Sequence, residues 1–583
     1  MSLFINNKVE KTFFELSGIR RRWILVLFLL GFLTLILRAL YLQSVNKNFL
    51  QEKATATSNR VISLSANRGK ITDRYGNILA LSTPVFSVNA NPKITKVKMN
   101  KEQRAQLESI LKISSAEVDD KIFNSPKDNV YLKRRVPPSD TEQLKALKIP
   151  GISFENDFQR FYPAGEVSAN LVGFTNMENI GAEGIEKAQN RSLSGVAGRR
   201  KVLKDKLGRF VDDIDDIKLP QEGNDIRLSI DQRIQYLTYR ELAKSIEDHK
   251  AQAGSAVVID AKTGEILALA NLPSYNPNNL NAGNGPTRNR AVTDVFEPGS
   301  TMKPFVVSAA LDSGIVRPSQ PIDISAGFMK IGSFTIHDAH AEPGRFSMTV
   351  SEVIAKSSNV GAARIGLMQD PKNLWGTLNK VGFGMRTNAG TPAEVSGTLR
   401  NYKNWGVVGQ ATVSYGYGGI NLTLLQLAQS YTVFANDGEL KPITLYKRNE
   451  PVMGAKVFKK ETVRTMVEMM EGVIEDGTGG NAKVKGYRVA GKTGTAEKLN
   501  NGKYEKNKNI GSFVGLIPAT NPRIIMAVMI DEPTVGSHFG GAVAAPVFSN
   551  VMTGTMKILN IPQDDKPQNK IPKQEKVEPK ETI

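Results

Sequence analysis

The 583-residue chain contains no cysteine, which excludes disulfide bonds, a cysteine nucleophile and thiolate metal sites. It has only four histidines. "IHDAH" brings His337 and His340 close together, but no E-x-x-H motif supports them, so no metal or cofactor is expected. The formal net charge of +19 suits an anionic partner. A membrane or cell-wall surface fits this charge as well as nucleic acid does, so the charge alone decides little. Because zinc-ligand cysteines and aromatic-basic RNA motifs are missing, no nucleic acid is expected.

Long apolar runs are scarce as well, and one stands out, in "RRRWILVLFLLGFLTLILRALYL". Its uncharged residues 23–37 span about 22 Å as a helix, and the run reaches membrane thickness at residues 23–42 if Arg38 extends toward an interface. The arginines before the run place residues 1–22 in the cytoplasm. The bulky "LRALYLQ" lacks the small-x-small pattern of a signal-peptide cleavage site. We therefore expect an uncleaved anchor with the rest of the chain outside the cytoplasm.

The remainder is too long for one hydrophobic core and divides by pattern into two domains and a tail. Residues 43–223 mix short alternating segments with a charged helical stretch, which predicts a non-catalytic pedestal. Residues 224–560 begin and end with strand patterns, such as "GSAVVIDAKTGEILALAN" and "PRIIMAVMID", around a mainly helical middle. This order predicts an α+β domain with one sheet built from both ends. The Pro- and charge-rich residues 561–583 predict a disordered tail.

The stretch "EPGSTMKPF" pairs a serine with a lysine at the start of a predicted helix that Gly314 closes. Ser300 occupies the expected N-cap position, and Lys303 lies in the first turn, where a cation opposes the helix dipole. A neutral lysine next to a serine hydroxyl can act as its base, and desolvation or a second cation lowers a lysine pKa. A solvated lysine near an ordinary N-cap serine fits the four residues equally well.

Two further motifs favour the catalytic interpretation. "AKSSNVGAARIG" places Ser357 and Asn359 at a break between two helical segments, the first of which has a capping box at Thr349 and Glu352. "GKTGTAEK" places a K-T-G-T sequence on a predicted strand. S-x-x-K, S-x-N and K-T-G in this order form the motif set of penicillin-binding proteins and serine β-lactamases.

The chain resembles the class B, single-pass penicillin-binding transpeptidases along nearly its whole length. The stretches that carry the resemblance are "NRGKITDRYGNILA", "GAEGIEKAQN", "RNRAVTDVFEPGSTMKPF", "SYGYG", "GTGGNAKVKGYRVAGKTGTAEK" and "HFGGAVAAPVF". The last four of these stretches are most similar to the septal, cell-division branch. The elongation branch, whose members usually have longer N-terminal domains, is the alternative. The implied fold is α+β, with one transmembrane helix, a pedestal and a penicillin-binding domain made of an antiparallel sheet and a helical subdomain.

The resemblance implies catalytic roles for three residues. Ser300 would attack the penultimate D-Ala carbonyl of a stem peptide, Lys303 would accept its proton, and Ser357 would relay a proton to the leaving amine. An amine of a neighbouring stem peptide would then resolve the acyl-enzyme to form a cross-link. β-Lactams would acylate Ser300 as inhibitors.

The resemblance also implies a substrate-binding set. Asn359 would hold the substrate backbone, Lys492 would supply positive potential, and the following Thr493, Gly494 and Thr495 would line the cleft. Thr495 would bind the terminal carboxylate, and its N–H would form an oxyanion hole with that of Ser300.

Other functions remain as alternatives at this stage. A β-lactamase or a D,D-carboxypeptidase shares the chemistry but needs neither a permanent anchor nor a long pedestal. A penicillin sensor would need a cytoplasmic output domain, and a scaffold would not need the full motif set. The expected partners are nascent glycan strands with their stem peptides, a membrane glycan polymerase and other division proteins. The expected location is the inner membrane, with the catalytic domain in the periplasm.

Overall fold

The computed structural model describes residues 18–47, 59–204, 210–280, 287–450, 452–500 and 503–565. Gly18–Ser44 form one continuous helix, the only one in these ranges that is long and apolar enough to cross a membrane. Its 27 residues correspond to about 40 Å, so it extends beyond the predicted residues 23–42 at both ends. Most of the predicted cytoplasmic segment, residues 1–17, lies outside the described part of the chain.

The chain forms two compact units. The first comprises residues 1–66 and 196–221. Within it, Asn59–Leu64 and Phe210–Lys218 pair antiparallel with the two sides of Gly198–Lys204, forming a three-stranded sheet.

The second unit, residues 67–195 and 222–583, begins with the larger part of the pedestal. The pedestal sheet contains Ile71–Thr72, Ile78–Ala90, Val130–Val136, Ile152–Phe161 and Ile226–Arg227. Its helices are Pro92–Lys98, Lys101–Leu111, Ser115–Val118, Pro138–Ala146, Ala169–Val172, Gly184–Ala188 and Asn190–Leu193. Val88, Leu107 and Leu132 are fully or almost fully buried between strands and helices and form a separate small core.

A buried ion cluster joins three segments of the pedestal. The Glu186 carboxylate accepts from Arg68 Nε at 2.6 Å and from Arg160 Nε at 2.7 Å, and all three side chains are buried. Arg68 also donates to the backbone oxygen of Glu186 and to Asn190 and Ser194. Such a cluster is tolerated in a low-dielectric interior because each charge is both paired and hydrogen-bonded.

The catalytic-domain sheet has five antiparallel strands. They are β1 (Ala253–Asp260), β2 (Ile266–Leu272), β3 (Ala490–Asn500), β4 (Lys503–Ile517) and β5 (Ile524–Asp531). The order across the sheet is β2-β1-β5-β4-β3, so β3 is an edge strand. The predicted sheet made from both ends of the domain is confirmed.

Helices cover both faces of this sheet. The longer ones are α1 (Gln232–Asp248), α2 (Lys303–Asp312), α3 (Val350–Ala355), α4 (Asn359–Leu367), α5 (Pro371–Lys380), α6 (Gly406–Val413), α7 (Leu424–Ser430), α8 (Lys460–Glu475) and α9 (Ala545–Ile558). Because successive strand residues point to opposite faces, Val258 of β1 packs in a core with α1 and α9. Its neighbour Val257 packs in the larger core that contains the helical subdomain.

Helix α2 lies inside the helical subdomain and is buried from its first residue to Ala310. Phe305 anchors it, with ring centroids 5.2 Å from Phe383 and 5.3 Å from Tyr431, both in edge-to-face geometry. The helix ends just before Gly314, which has a φ of 70° as a helix-terminating glycine should.

The described chain continues to Asp565 and so includes the first five residues of the predicted tail. Ile561 is 9% exposed, and its carbonyl accepts a hydrogen bond from Tyr487 Oη at 2.6 Å. The Asp564 carboxylate accepts from the backbone N–H of Arg488 at 2.8 Å. Residues 561–565 therefore belong to the packed domain, and the rest of the predicted tail, 566–583, lies outside the described residues.

Candidate active site

Ser300 lies in a 3₁₀ turn, Gly299–Met302, that leads directly into α2. The prediction that Ser300 is the N-cap of this helix is wrong. The chain is already helical at Met302, with φ −76° and ψ −31°, and the helix begins at Lys303. Among the described residues the Ser300 hydroxyl has no hydrogen-bond partner, so it is not committed to capping.

Lys303 is fully buried, and its amine contacts the S-S-N segment. Nζ donates to the Ser357 carbonyl oxygen at 2.6 Å and to Asn359 Oδ1 at 2.8 Å, and it lies 3.2 Å from Ser357 Oγ. Burial lowers the pKa of Lys303 to about 7, and the negative charge of Asp338 opposes that shift. No hydrogen bond joins the Lys303 amine to the Ser300 hydroxyl; the amine approaches Ser357 instead.

Ser357 lies between α3 and α4 in a left-handed conformation, with a φ of 63°. Such a conformation costs a non-glycine residue free energy and marks many functional sites. The predicted capping box of Thr349 and Glu352 at the start of α3 is present. Besides its contact with Lys303, Ser357 Oγ accepts from Lys492 Nζ at 2.9 Å, so this hydroxyl lies between two lysine amines.

Lys492 is the second buried cation of the cleft. It lies on β3, is 0% exposed, and its pKa is lowered well below the usual lysine value by burial and then by the charge of Lys303. Positive charges on two amines that contact the same hydroxyl repel each other, so the two lysines together carry less than two positive charges near neutral pH.

Asn359 is held by groups on both sides of its amide. Oδ1 accepts from Lys303, and Nδ2 donates to the His337 carbonyl oxygen at 2.9 Å. His337 thus takes part through its backbone. The ring of His340 lies 5.0 Å from that of Phe539, and the described residues contain no group of three acidic or histidine side chains that could hold a metal.

Sequence reasoning missed Asp338, although it lies in the same "IHDAH" stretch as the two histidines. Its Oδ1 accepts from the backbone N–H groups of Asn359 at 2.5 Å and Val360 at 2.9 Å, and its Oδ2 accepts from Ser358 Oγ at 2.8 Å. The carboxylate therefore caps the N-terminus of α4, where the helix dipole favours negative charge. No sequence signal pointed to this long-range contact.

The K-T-G-T strand packs directly on the Ser300 turn. A Cβ on Gly494 would lie 2.9 Å from Thr301 Cγ2 and 2.4 Å from Ser512 Oγ, so only glycine allows this approach. The hydroxyls of the two neighbouring threonines form hydrogen bonds with adjacent segments. Thr493 Oγ1 lies 2.6 Å from Thr478 Oγ1, and Thr495 Oγ1 accepts from the Gly540 N–H at 3.2 Å.

The backbone of Thr495 faces away from the sheet. Its carbonyl oxygen accepts from Tyr417 Oη at 2.9 Å, and Tyr417 lies outside the sheet. In an antiparallel pair the N–H and C=O of one residue point to the same side, so the Thr495 N–H also points outward. The adjacent Ser300 N–H belongs to the first turn of a helix, where no intrahelical acceptor exists. These two outward-facing N–H groups thus lie on neighbouring elements.

The "SYGYG" stretch, one of those that carry the family resemblance, packs against the Ser300 turn. The Gly416 carbonyl accepts from the Gly299 N–H at 3.1 Å. A Cβ on Gly416, which has a φ of 89°, would lie 2.1 Å from the Gly299 carbonyl oxygen. The close backbone approach therefore requires glycine.

Two known domain families match this chain. Residues 254–553 match the penicillin-binding protein transpeptidase domain, and residues 63–228 match the penicillin-binding protein dimerisation domain. The chain belongs to the class B penicillin-binding proteins.

Individual relatives cover almost the whole chain. It is 41% identical over 549 residues to the probable peptidoglycan D,D-transpeptidase PenA of Neisseria gonorrhoeae, covering 94% of each chain. It is 41% identical over 546 residues to the peptidoglycan D,D-transpeptidase FtsI of Escherichia coli, covering 92% of this chain and 90% of that one. The structure of penicillin-binding protein 3 from Mycobacterium tuberculosis, complexed with aztreonam, is similar with a TM-score of 0.66 and 27% identity, covering 86% of this chain and 98% of that one. The N-terminal apolar helix fits a single-pass inner-membrane anchor.

Proposed function

We propose that the protein cross-links peptidoglycan stem peptides during septum formation, as a serine-type D-Ala-D-Ala transpeptidase that β-lactams inhibit. The observation that carries the proposal is the position of Ser357 Oγ between the buried amines of Lys303 and Lys492, beside the Ser300 turn. The transpeptidase family of the chain and its septal relatives favour this function over the elongation branch and over a β-lactamase or carboxypeptidase.

In the acylation step, Ser300 Oγ attacks the carbonyl carbon of the penultimate D-Ala and its proton passes to Lys303 Nζ. A neutral amine has two hydrogens to donate, which match the two short contacts to the Ser357 carbonyl and Asn359 Oδ1. Its lone pair then remains for a hydroxyl proton. The oxyanion forms near the N–H groups of Ser300 and Thr495, and removing one such donor typically costs about 10²–10³ in rate.

The substrate itself would help to set the protonation states. Burial lowers the pKa of both lysines; the charge of Asp338 opposes this shift at Lys303, whereas the charge of Lys303 adds to it at Lys492. A substrate carboxylate bound at Thr493 and Thr495 would add a negative charge beside Lys492 and favour its protonated form. The charge of Lys492 would then favour a neutral Lys303, the form that a base requires.

The tetrahedral intermediate collapses when the C–N bond breaks. The leaving D-Ala amine takes a proton from Ser357 Oγ, which is replenished from Lys303. An amine of a second stem peptide then loses a proton along the same path in reverse, attacks the ester carbonyl and releases Ser300. Because a β-lactam has its amide in a ring, its leaving group stays attached to the acyl chain and blocks this second attack.

The assignment of Ser300 is tested by mass spectrometry of the penicillin adduct. We expect one adduct on the Ser300 peptide and none in Ser300→Ala. Ser308→Ala is the matched control, because Ser308 is a buried serine on the following helix and should not affect labelling. Covalent uptake that persists in Ser300→Ala, or an adduct on another side chain, would contradict the proposal.

The place of the enzyme in the cell is part of the proposal. Depletion should produce filaments if the protein is septal, whereas rounded cells would indicate elongation. We propose that it works with a membrane glycan polymerase and other division proteins through the anchor helix and the pedestal. Photo-crosslinking residues placed on exposed anchor positions such as Phe28 should capture a polymerase, with exposed Met453 of the catalytic domain as the control position.

We further propose that residues 1–22 are cytoplasmic and that residues 43–223 form the pedestal, with the strand Ile226–Arg227 added to its sheet. The periplasmic catalytic domain, predicted as residues 224–560, then continues through the packed residues 561–565. The cysteine-free chain allows a direct test of the orientation. A membrane-impermeant maleimide is added to spheroplasts that carry a single-cysteine variant. Met453→Cys should react with it, and Ser2→Cys should not. The reverse labelling would overturn the orientation.

A further inference from the structure

A row of tyrosines lies on one side of the Ser300 turn. The ring centroids of Tyr415 and Tyr417 are 5.6 Å apart, and those of Tyr417 and Tyr504 are 6.1 Å apart. Tyr417 Oη donates to the Thr495 carbonyl oxygen at 2.9 Å, and Tyr504 Oη donates to Glu297 Oε2 at 3.0 Å. We call Glu297, Tyr417 and Tyr504 the tyrosine clamp.

Glu297 fixes three segments at once. It precedes Ser300 by three residues, is 9% exposed, and accepts from the Gly418 N–H at 2.9 Å as well as from Tyr504. Among the ion pairs of the described residues, none neutralises this carboxylate. Burial raises its pKa, while the two hydrogen bonds act in the opposite direction. A buried carboxylate without a cation is costly, so its retention next to the nucleophile calls for a function.

The segment held by Glu297 bridges the two oxyanion donors. At one end the Gly416 carbonyl accepts from the Gly299 N–H, adjacent to Ser300. At the other end Tyr417 Oη binds the Thr495 carbonyl, on the residue that supplies the second N–H. Because Thr495 lies on an edge strand, no other strand of the described ranges restrains its outward-facing groups. The Tyr417 hydroxyl therefore adds a hydrogen bond on the outer side of β3 to the direct packing of this strand on the Ser300 turn.

We propose that Tyr417 is a positioning residue that fixes the separation and orientation of the Ser300 and Thr495 N–H groups, and that Glu297 and Tyr504 hold it in place. This role rests on the proposed acyl-serine reaction. Misplaced oxyanion donors weaken binding of the transition state more than binding of the substrate. The clamp should therefore act on kcat and leave KM nearly unchanged.

The test compares Tyr417→Phe with wild type in the full-length, detergent-solubilised protein, with a thioester stem-peptide analogue as substrate. We expect kcat to fall at least tenfold, with KM within twofold and an unchanged pH inflection. Tyr275→Phe is the matched control, because it removes a hydroxyl that donates to a backbone carbonyl, that of Ala169, at the same distance of 2.9 Å. The control should lose stability but keep its kcat.

A second pair of variants grades the effect without touching Tyr417. Glu297→Gln keeps one side-chain oxygen as an acceptor and replaces the other by an NH₂ donor. Its kcat should therefore lie between those of wild type and Glu297→Ala, while the two variants have equal melting temperatures. An unchanged or raised kcat in Tyr417→Phe would overturn the proposal, as would a rise in KM alone. Failure of the acyl-serine function would appear separately, as absence of the Ser300 adduct in the wild-type protein.

Discussion

Replacing Asp338 with asparagine should move the pH dependence of acylation to lower pH. Asparagine can keep the cap of α4, since Oδ1 already accepts both backbone N–H groups and the Ser358 hydroxyl can rotate to accept from the new amide. The substitution removes the charge that opposes the lowering of the Lys303 pKa. The geometry is thus retained while the electrostatics change.

The magnitude follows from the titration of Lys303. With a pKa of about 7, roughly one amine in ten is neutral at pH 6, so the wild-type acylation rate should fall about tenfold per pH unit below the inflection. Loss of a nearby opposite charge shifts a pKa by about one unit or more, and one pKa unit corresponds to about 1.4 kcal/mol. Relative to its own plateau, the variant should therefore acylate several-fold faster at pH 6.

The assay is stopped-flow acylation by a fluorescent penicillin from pH 5 to 9, with the inflection as the readout. Glu342→Gln is the matched control, since this carboxylate lies in the same loop and pairs with Arg345 at 2.8 Å. An inflection in Asp338→Asn that stays in place, or moves to higher pH, would refute the electrostatic reasoning even if the plateau rate falls.

Three other substitutions test packing and buried charge. Lys303→Met should abolish acylation and flatten the pH dependence of stability. Between pH 7 and 10.5 the wild-type folded protein binds fewer protons than the unfolded chain, so its free energy of unfolding rises with pH, by up to about 5 kcal/mol. Urea titrations across this pH range would measure the difference between the two proteins. Gly416→Ala should lose penicillin labelling because its Cβ meets the Gly299 carbonyl, whereas Gly376→Ala, with nothing within 4 Å in α5, should label normally and gain up to about 1 kcal/mol. Glu186→Gln should destabilise the pedestal by about 3–5 kcal/mol, since it leaves two buried arginines without their counter-charge; an unchanged thermal unfolding midpoint would contradict this.

The sequence predicts features that depend on neighbouring residues and misses contacts between residues far apart in the chain. The sheet from both ends of the catalytic domain and the capping box at Thr349 follow from periodicity and short motifs, and the structure confirms them. The contacts of Asp338 with α4 and of Tyr417 with β3 join residues far apart in the chain, and no local pattern encodes such contacts. The N-cap prediction for Ser300 was wrong because a 3₁₀ turn continues smoothly into α2.

Strand β5 is nearly the last part of the catalytic domain to be synthesised, yet it occupies the centre of the sheet, between β1 and β4. Its pairing of Val528 with Ala256 joins residues on opposite sides of the whole helical insert. Forming such distant pairs slows folding, and β1 remains without its second neighbour until the chain is almost complete. A nascent protein arrested before residue 524 therefore exposes an incomplete sheet, whose unpaired strand edge is open to pairing with other chains.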